Sequence, residues 1–314
     1  MKNVILTLLS FTGICLVAQN FPGAVGDPTS TAVFKSDARV DYWLADSVKI
    51  ERGLIDASDP SLGQVTYGDD HFALGQSDPQ VVSLGDGGQA TYVLSNPISD
   101  IEGFDFAVFE NAFDNHFLEL AFVEVSTDGE TFVRFVNQSN TDTDTQTGGF
   151  AATDTRNVNN LAGKYRAQYG TPFDLNELED SLSIDINNIN YIRIIDVVGS
   201  IDPAYGTKDS YGNFINDPWP TPFNSSGFDL DAVAVLKPSP LSVLENNIES
   251  YYNSSLEQVV FSKEIDRVEV SNVLGQKIAI EQNVKELNLS DFQDRILILV
   301  CTIQGETSKI KIVK

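Results

Sequence analysis

Short apolar or alternating runs, separated every few residues by Gly, Pro, Asn or Asp, fill the 314-residue chain, and no stretch sustains a long helical period. Val, Ile, Phe and Tyr concentrate in the runs, which suits a pleated, half-buried surface. In the first three quarters of the chain strands are expected over residues 80–84, 90–94, 103–109, 118–126, 132–136, 191–198 and 230–236. Seven or more short strands with turn signals between them imply an all-β fold, a jelly-roll-like antiparallel β-sandwich. Two stretches read as helical, residues 40–45 and 174–182; in the second, Asp174 serves as N-cap and Glu177 completes a capping box. Residues 137–160, rich in Thr, Asp and Asn, are expected to form a long loop that decorates one end of the sandwich.

Hydrophobic residues make up 42% of the chain, with 19 Phe and 10 Tyr, enough material for a packed core. The net charge of −25 excludes general electrostatic attraction to nucleic acid or to anionic lipid. Charge also divides the chain. Residues 20–239 hold 34 acids against 11 bases, a net of −23, whereas residues 240–314 hold 11 against 8, a net of −3. Lys237-Pro238-Ser239-Pro240 lies between them as a stiff linker, so the expected organisation is a domain over 20–236, a linker over 237–240 and a small β-domain over 241–314. In that small domain strands are expected over 258–261, 267–271, 276–281, 286–289, 296–303 and 307–312, with a hairpin turn at Val273-Leu274-Gly275-Gln276.

Residues 1–19 read as a secretory signal: Lys2 supplies the positive end, residues 4–17 are apolar, and Ala18-Gln19 close the run. The run is too short to span a bilayer, so export without a transmembrane segment in the mature chain is expected. Cys15 leaves with the signal, and Cys301, set in an apolar run, is expected as a buried small hydrophobe.

The motifs Val268-Glu269-Val270-Ser271-Asn272-Val273-Leu274-Gly275-Gln276, Leu287-Asn288-Leu289-Ser290 and Ile296-Leu297-Ile298, with the ending Lys309-Ile310-Lys311-Ile312-Val313-Lys314, resemble the C-terminal sorting domain of the type IX secretion system of Bacteroidota. The resemblance implies passage across the outer membrane, with the type IX machinery as partner and the cell surface or the medium as destination. The large region resembles a bacterial cell-surface β-sandwich family of unknown activity, whose members carry PEP-CTERM or type IX tails. The residues that carry it include Val82-Ser83-Leu84-Gly85-Asp86-Gly87-Gly88, Phe104-Asp105-Phe106-Ala107-Val108-Phe109-Glu110-Asn111-Ala112-Phe113, Glu119-Leu120-Ala121-Phe122-Val123-Glu124 and Gly227-Phe228-Asp229-Leu230-Asp231-Ala232-Val233. A more distant likeness ties the pattern around Phe106 to Phe113 to surface proteins encoded beside cobalamin-uptake receptors.

Carboxylates set inside apolar strands are the chain's main chemical anomaly. Alternation puts Asp105, Ala107, Phe109 and Asn111 on one face of a strand and Phe104, Phe106, Val108 and Glu110 on the other. The same rule puts Asp229 and Asp231 on a face with Val233 and Val235. A buried carboxylate costs several kcal/mol unless it is paired or bound to metal. Oxygen donors without His or Cys suit Ca2+, and Glu110, Asn111, Glu119, Asp196, Asp229 and Asp231 are the candidate ligands. The alternative is that these acids face solvent or accept hydrogen bonds from turn amides. Tyr205, Tyr211, Phe214, Trp219 and Asp217 lie in a Gly/Tyr/Pro-rich loop, where aromatic faces beside acidic and amide groups suit a glycan or other amphipathic ligand; the alternative is a loop pinned by its own aromatics.

His71 and His116 are expected in loops, and no nucleophile motif accompanies them. The expectation is therefore a secreted or surface-attached, non-catalytic protein that binds a glycan or nutrient, with structural calcium. An accessory of TonB-dependent nutrient uptake, for cobalamin among others, and a carbohydrate-active enzyme with paired carboxylates are the alternatives.

Overall fold

In chain order the strands of the N-terminal part are β1 (Val33–Phe34), β2 (Val40–Trp43), β3 (Ser47–Glu51), β4 (Val82–Ser83), β5 (Gln89–Ile98), β6 (Phe106–Glu110) and β7 (Ala121–Ser126). They continue with β8 (Val133–Arg134), β9 (Gln138–Ser139), β10 (Val158–Asn159), β11 (Tyr169–Phe173), β12 (Ile189–Asp196) and β13 (Asp229–Leu236). These come from a computed structural model that describes residues 21–238, 250–253, 256–273, 275–303 and 306–314. The expected signal peptide, residues Ser239 and Pro240 of the expected linker, and Leu274 of the expected hairpin turn lie outside the described residues. The chain divides into two compact units, Met1–Ser239 and Pro240–Lys314.

Two antiparallel sheets build the first unit. One runs β1-β11-β6-β13-β2, with β4 also on β13, and the other runs β3-β5-β12-β7-β8. Side chains of alternating position meet between them: Phe106 and Val108 from β6 and Leu230, Val233 and Val235 from β13 face Val123 and Val125 from β7 and Ile192 and Ile194 from β12. This is the packing of a β-sandwich, the fold class expected from the sequence. Both outer faces are partly covered as well. Ala107, Phe109, Ala232 and Ala234 pack with Val33 and Trp43 on one side. On the other side Leu120, Phe122 and Val197 pack with Val158, Leu161 and Ile215 from the long loops. Strands buried on both faces read as continuous apolar runs, and most of β13 does, whereas β7, equally buried, carries Glu124 in its middle.

Three local expectations are corrected. Residues 40–43 are a strand, not a helix: Val40, Tyr42 and Trp43 are β-formers, and they pair with Leu236, Val235 and Ala234. Residues 174–182 form only a short 3-10 turn, Leu175–Leu178. Asp174 does cap it, accepting from the Asn176 N–H at 3.0 Å, but Glu177 turns away to the Asn160 amide, so there is no capping box. The third correction concerns β13. A register break between Leu230 and Ala232 puts Leu230 on the core face with Val233 and Val235, so Asp229 and Asp231 do not share that face.

The second unit contains β14 (Ser250–Asn253), β15 (Gln258–Asn272), β16 (Lys277–Asn288), β17 (Ile296–Ile303) and β18 (Glu306–Val313). They pair antiparallel in the order β14-β15-β17-β18, with β16 also on β15. The strands expected at 258–261 and 267–271 are one strand, β15, whose pairing with β16 shifts between Val260 and Ile265. The core is apolar: Val259, Phe261, Val268, Val270, Leu297 and Leu299 with Cys301, whose thiol is pushed up to about 11 by burial. At the expected hairpin Gly275 has φ of 79°, the left-handed region that favours glycine.

Candidate functional site

Two long loops meet at one end of the sandwich: residues 137–160, and residues 197–228 between β12 and β13. Buried polar side chains lock them together. The Asn216 carboxamide oxygen accepts from the Thr147 N–H at 2.8 Å and from Gln146 Nε2 at 3.0 Å, and its Nδ2 donates to the Asp142 and Thr145 carbonyls. Asp209 accepts from the Ser139 N–H at 2.8 Å and from the Tyr211 and Asn213 N–H groups. Buried polar groups satisfied in this way fix loop geometry, because leaving them unpaired would cost more than the pairing gains.

The walls so held enclose a groove of about 300 Å³, lined among others by Thr141, Thr145, Gln146, Thr147, Asp154 and Asn157. Thr141 is shared with a second depression that Ser139, Asn140, Asn213 and Phe214 also line. Hydroxyl and amide groups dominate both.

The sequence-selected aromatics divide between this groove and its surroundings. Phe214 lines the second depression, with the Lys208 ammonium 4.6 Å from its ring centre. Tyr211 is 65% exposed. Tyr205 and Trp219 stack on each other, ring centres 6.1 Å apart, and the Trp219 indole N–H donates to Asp86 Oδ2 at 2.9 Å. Asp217 faces inward, accepting from the Leu120 N–H at 3.0 Å. A Cβ at position 199 would lie 1.6 Å from Asp217 Oδ1, so this close approach needs Gly199.

The six candidate metal ligands are spread along the sheet ends. Asp196 closes β12 and is a structural hub: its two oxygens accept from the Gly87 N–H at 2.9 Å and the Phe228 N–H at 2.7 Å. Asp231 accepts from the Ser77 hydroxyl at 2.6 Å and the Asp78 N–H at 3.1 Å, and burial pushes it up to about 6. Asn111 sits in a different depression, beside Lys35 and Gln168. Glu110, Glu119 and Asp229 lie near enough to influence one another electrostatically, but their oxygens do not gather within 4.8 Å as a metal site. Burial, then Asp229, Glu110, Asp217 and Asp196, raise the Glu119 carboxyl well above its ordinary range. Burial and then Asp229 do the same to Glu110. Asp229 is pushed up to about 7 by burial, opposed by the Ser83 hydroxyl that donates to it. Glu110 is 1% exposed, and its Oε1 has no hydrogen-bond partner. Burial and the neighbouring carboxyls thus act in one direction on Glu110 and Glu119, towards holding the proton.

Among the described residues, one group of three carboxylates brings its oxygens within 4.8 Å of one another, and the metal-ligand reading of the sequence did not select it: Asp100, Asp105 and Asp174. Asp100 follows β5, Asp105 precedes β6, and Asp174 follows β11 at the start of the 3-10 turn. Asp105, fully buried, accepts from the Ile101 N–H at 2.8 Å and from the Leu175 N–H, and burial pushes it up to about 7. Asp100 Oδ1 is buried without a partner. The donors are oxygens only and one is orphaned, so the group can hold a metal ion. The signal in the sequence is weak, because three Asp from three turns carry no shared spacing.

Among the described residues one cation is buried: Lys164, 3% exposed, donates to the Val158 carbonyl at 2.7 Å and is pushed down to about 7 by burial. His71 and His116 are both exposed, and no helix among the described residues is long and apolar enough to cross a membrane.

The chain matches no protein-family model, and no curated protein matches it in sequence.

Proposed function

We propose that this chain is an exported, non-catalytic binding protein that takes a hydroxyl-rich ligand, a glycan or small nutrient, in the groove at the loop end of its sandwich. The observation that carries this reading is the groove itself: its walls offer hydroxyls and amides, and buried Asn216 holds them in place before any ligand arrives. A preformed site of this kind spends little ordering entropy on binding. Export rests on the sequence of residues 1–19 and on the likeness of residues 268–314 to type IX sorting tails. If that likeness holds, a chain lacking residues 241–314 stays in the periplasm of its host.

The reading includes a structural calcium ion on Asp100, Asp105 and Asp174. Calcium takes six to eight oxygen ligands in flexible geometry, and carboxylates at turns supply them well. The ion would tie together three chain turns at one edge of the core.

The test is a binding screen of the mature chain, residues 20–314, against soluble glycans and corrinoids, with calcium and with chelator. Saturable binding of a glycan or corrinoid that weakens on Asn216→Ala supports the groove. Absence of binding across the panel, in folded protein, overturns it.

A further inference from the structure

The loop that walls the groove carries Phe150, placed between two residues of the lining, Gly148 and Ala151. Phe150 is 72% exposed, and two more phenylalanines beside it are also left in water, Phe113 at 69% and Phe223 at 48%. Phe117 lies buried among them. The ring centres of Phe113 and Phe117 are 4.5 Å apart with planes within 20°. Phe117 and Phe150 are 6.2 Å apart within 22°, and Phe150 and Phe223 are 5.8 Å apart.

Three separate chain segments bring these rings together, and backbone bonds brace them. The Thr153 N–H donates to the His116 carbonyl at 2.7 Å, and the Trp219 N–H donates to the Thr147 carbonyl at 3.0 Å. A Cβ on Gly149 would meet the Pro220 carbonyl at 2.5 Å, so the loop lies close against the segment that leads to Phe223. Exposed rings gathered on a braced surface mark an interaction site.

We propose that Phe113, Phe150 and Phe223, backed by Phe117, form a platform for a neutral polysaccharide whose pyranose rings lie on the aromatic faces while their hydroxyls reach the adjoining groove. The inference rests on the groove as the ligand site and names the ligand's class. Aromatic faces are electron-rich and attract the polarised C–H groups of a sugar face. The surroundings select against charge: Asp114, Asp142, Asp144 and Asp154 are all exposed nearby, in a region of net −23. Anionic polysaccharide and anionic lipid are therefore repelled. A neutral sugar chain is amphipathic in the way this surface is, with apolar faces for the rings and hydroxyls for Thr145, Gln146 and Thr147.

The experiment uses the mature chain in affinity electrophoresis and calorimetry with mixed-linkage β-glucan and galactomannan, with polygalacturonate as the acidic control and soluble oligosaccharides and a corrinoid as the small ligands. Wild type is expected to bind at least one neutral polymer and not the acidic one. Phe113→Ala/Phe150→Ala is expected to bind at least tenfold more weakly at an unchanged melting temperature, since both rings are exposed, and Phe150→Tyr to retain binding. Equal binding by wild type and the double variant overturns the platform and leaves the groove reading standing. Wild-type binding to corrinoid or polygalacturonate but to neither neutral polymer overturns the platform alone, and binding to nothing in the panel overturns both. Self-association or vesicle binding that disappears in the double variant would assign the rings to a second copy or to a membrane, and overturns the proposal.

Discussion

The C-terminal unit keeps its charges in water and its core apolar, whereas the N-terminal unit carries carboxylates into its interior. In the C-terminal unit Glu269 pairs with Arg267 and Lys277 on the surface, and the residues behind it are Val268, Val270, Leu299 and Cys301. In the N-terminal unit Asp105, Glu110, Asp196 and Asp217 are at most 3% exposed, and neighbouring acids outnumber cations. What replaces cations there is the backbone: Asp196 and Asp105 each hold two chain segments by accepting N–H groups from both. A domain with long loops has many turn amides to satisfy, and buried carboxylates satisfy them two at a time. The C-terminal unit, whose strands β14–β15, β15–β16 and β17–β18 pair directly with their sequence neighbours, has no such need.

Removing a hub is the strongest way to break this contrast. Asp196→Ala leaves the Gly87 and Phe228 N–H groups buried without an acceptor, and is expected to destabilise the N-terminal unit by about 4 kcal/mol, part of the loss being offset by relief from Asp86 and Asp217. Glu281→Ala on the exposed face of β16 should stay within about 0.5 kcal/mol. Both tryptophans, Trp43 and Trp219, lie in the N-terminal unit, so their fluorescence in denaturant reads that unit alone. Comparable losses for the two variants would erase the contrast.

Calcium comes next. At a hundredfold excess over Kd it is expected to stabilise the N-terminal unit by about 2.7 kcal/mol, and Asp174→Asn is expected to abolish most of the effect. Equal denaturation midpoints with calcium and with chelator, in protein confirmed metal-free, would count against the ion.

The pH dependence follows from the direction of the shifts. Glu110, Glu119 and Asp229 have folded-state values raised above their ordinary ones, Asp229 from 3.8 to about 7. The folded state therefore keeps protons that the unfolded chain has already lost. The contribution of all three is full below about pH 4; that of Asp229 is lost as pH rises through about 7, and those of Glu110 and Glu119 decline in the same direction. In chelator, the N-terminal unit is expected to be more stable at pH 5 than at pH 8, by about 2 kcal/mol. Glu119→Gln should flatten that slope; a slope of opposite sign would mean the cluster is compensated by something other than protons.

The smallest expected effect is at the surface of the second sheet. Arg134 donates to Glu124 Oε1 through two nitrogens, at 2.9 and 2.7 Å, and Arg193 lies 3.5 Å from Oε2. Both arginines are partly exposed and also cover the rings of Phe122 and Phe132. Glu124→Gln should cost about 1 kcal/mol in the same fluorescence assay, and less in high salt.

The sheet framework was legible in the sequence wherever a run alternated or stayed apolar. The strand expected at 296–303 matches β17, and that at 230–236 falls within β13 by sequence alone. The strands that escaped are short or disguised: Tyr169–Phe173 contains Gly170 and Pro172, and Val40–Trp43 is followed by residues that mimic a helical turn. The pairing of loops through Asn216 was not legible, because Thr147 and Asn216 are distant in sequence and nothing local marks them. The acids were legible as anomalous but not in their roles. Strand alternation fails at the bulge beside Asp231, and it is silent about the turns that gather Asp100, Asp105 and Asp174. Aromatic Phe113, Phe150 and Phe223 are isolated in the sequence and meet only through the folded loops.

The most direct test of the account is hydrogen–deuterium exchange of the mature chain with and without a neutral polysaccharide. Ligand binding at the loop end predicts slower exchange in residues 139–154 and 211–224, with residues 82–88 and 227–232 around the buried acids unchanged. Protection centred on the strand ends that carry Glu110, Glu119 and Asp229, or no protection anywhere, would contradict it.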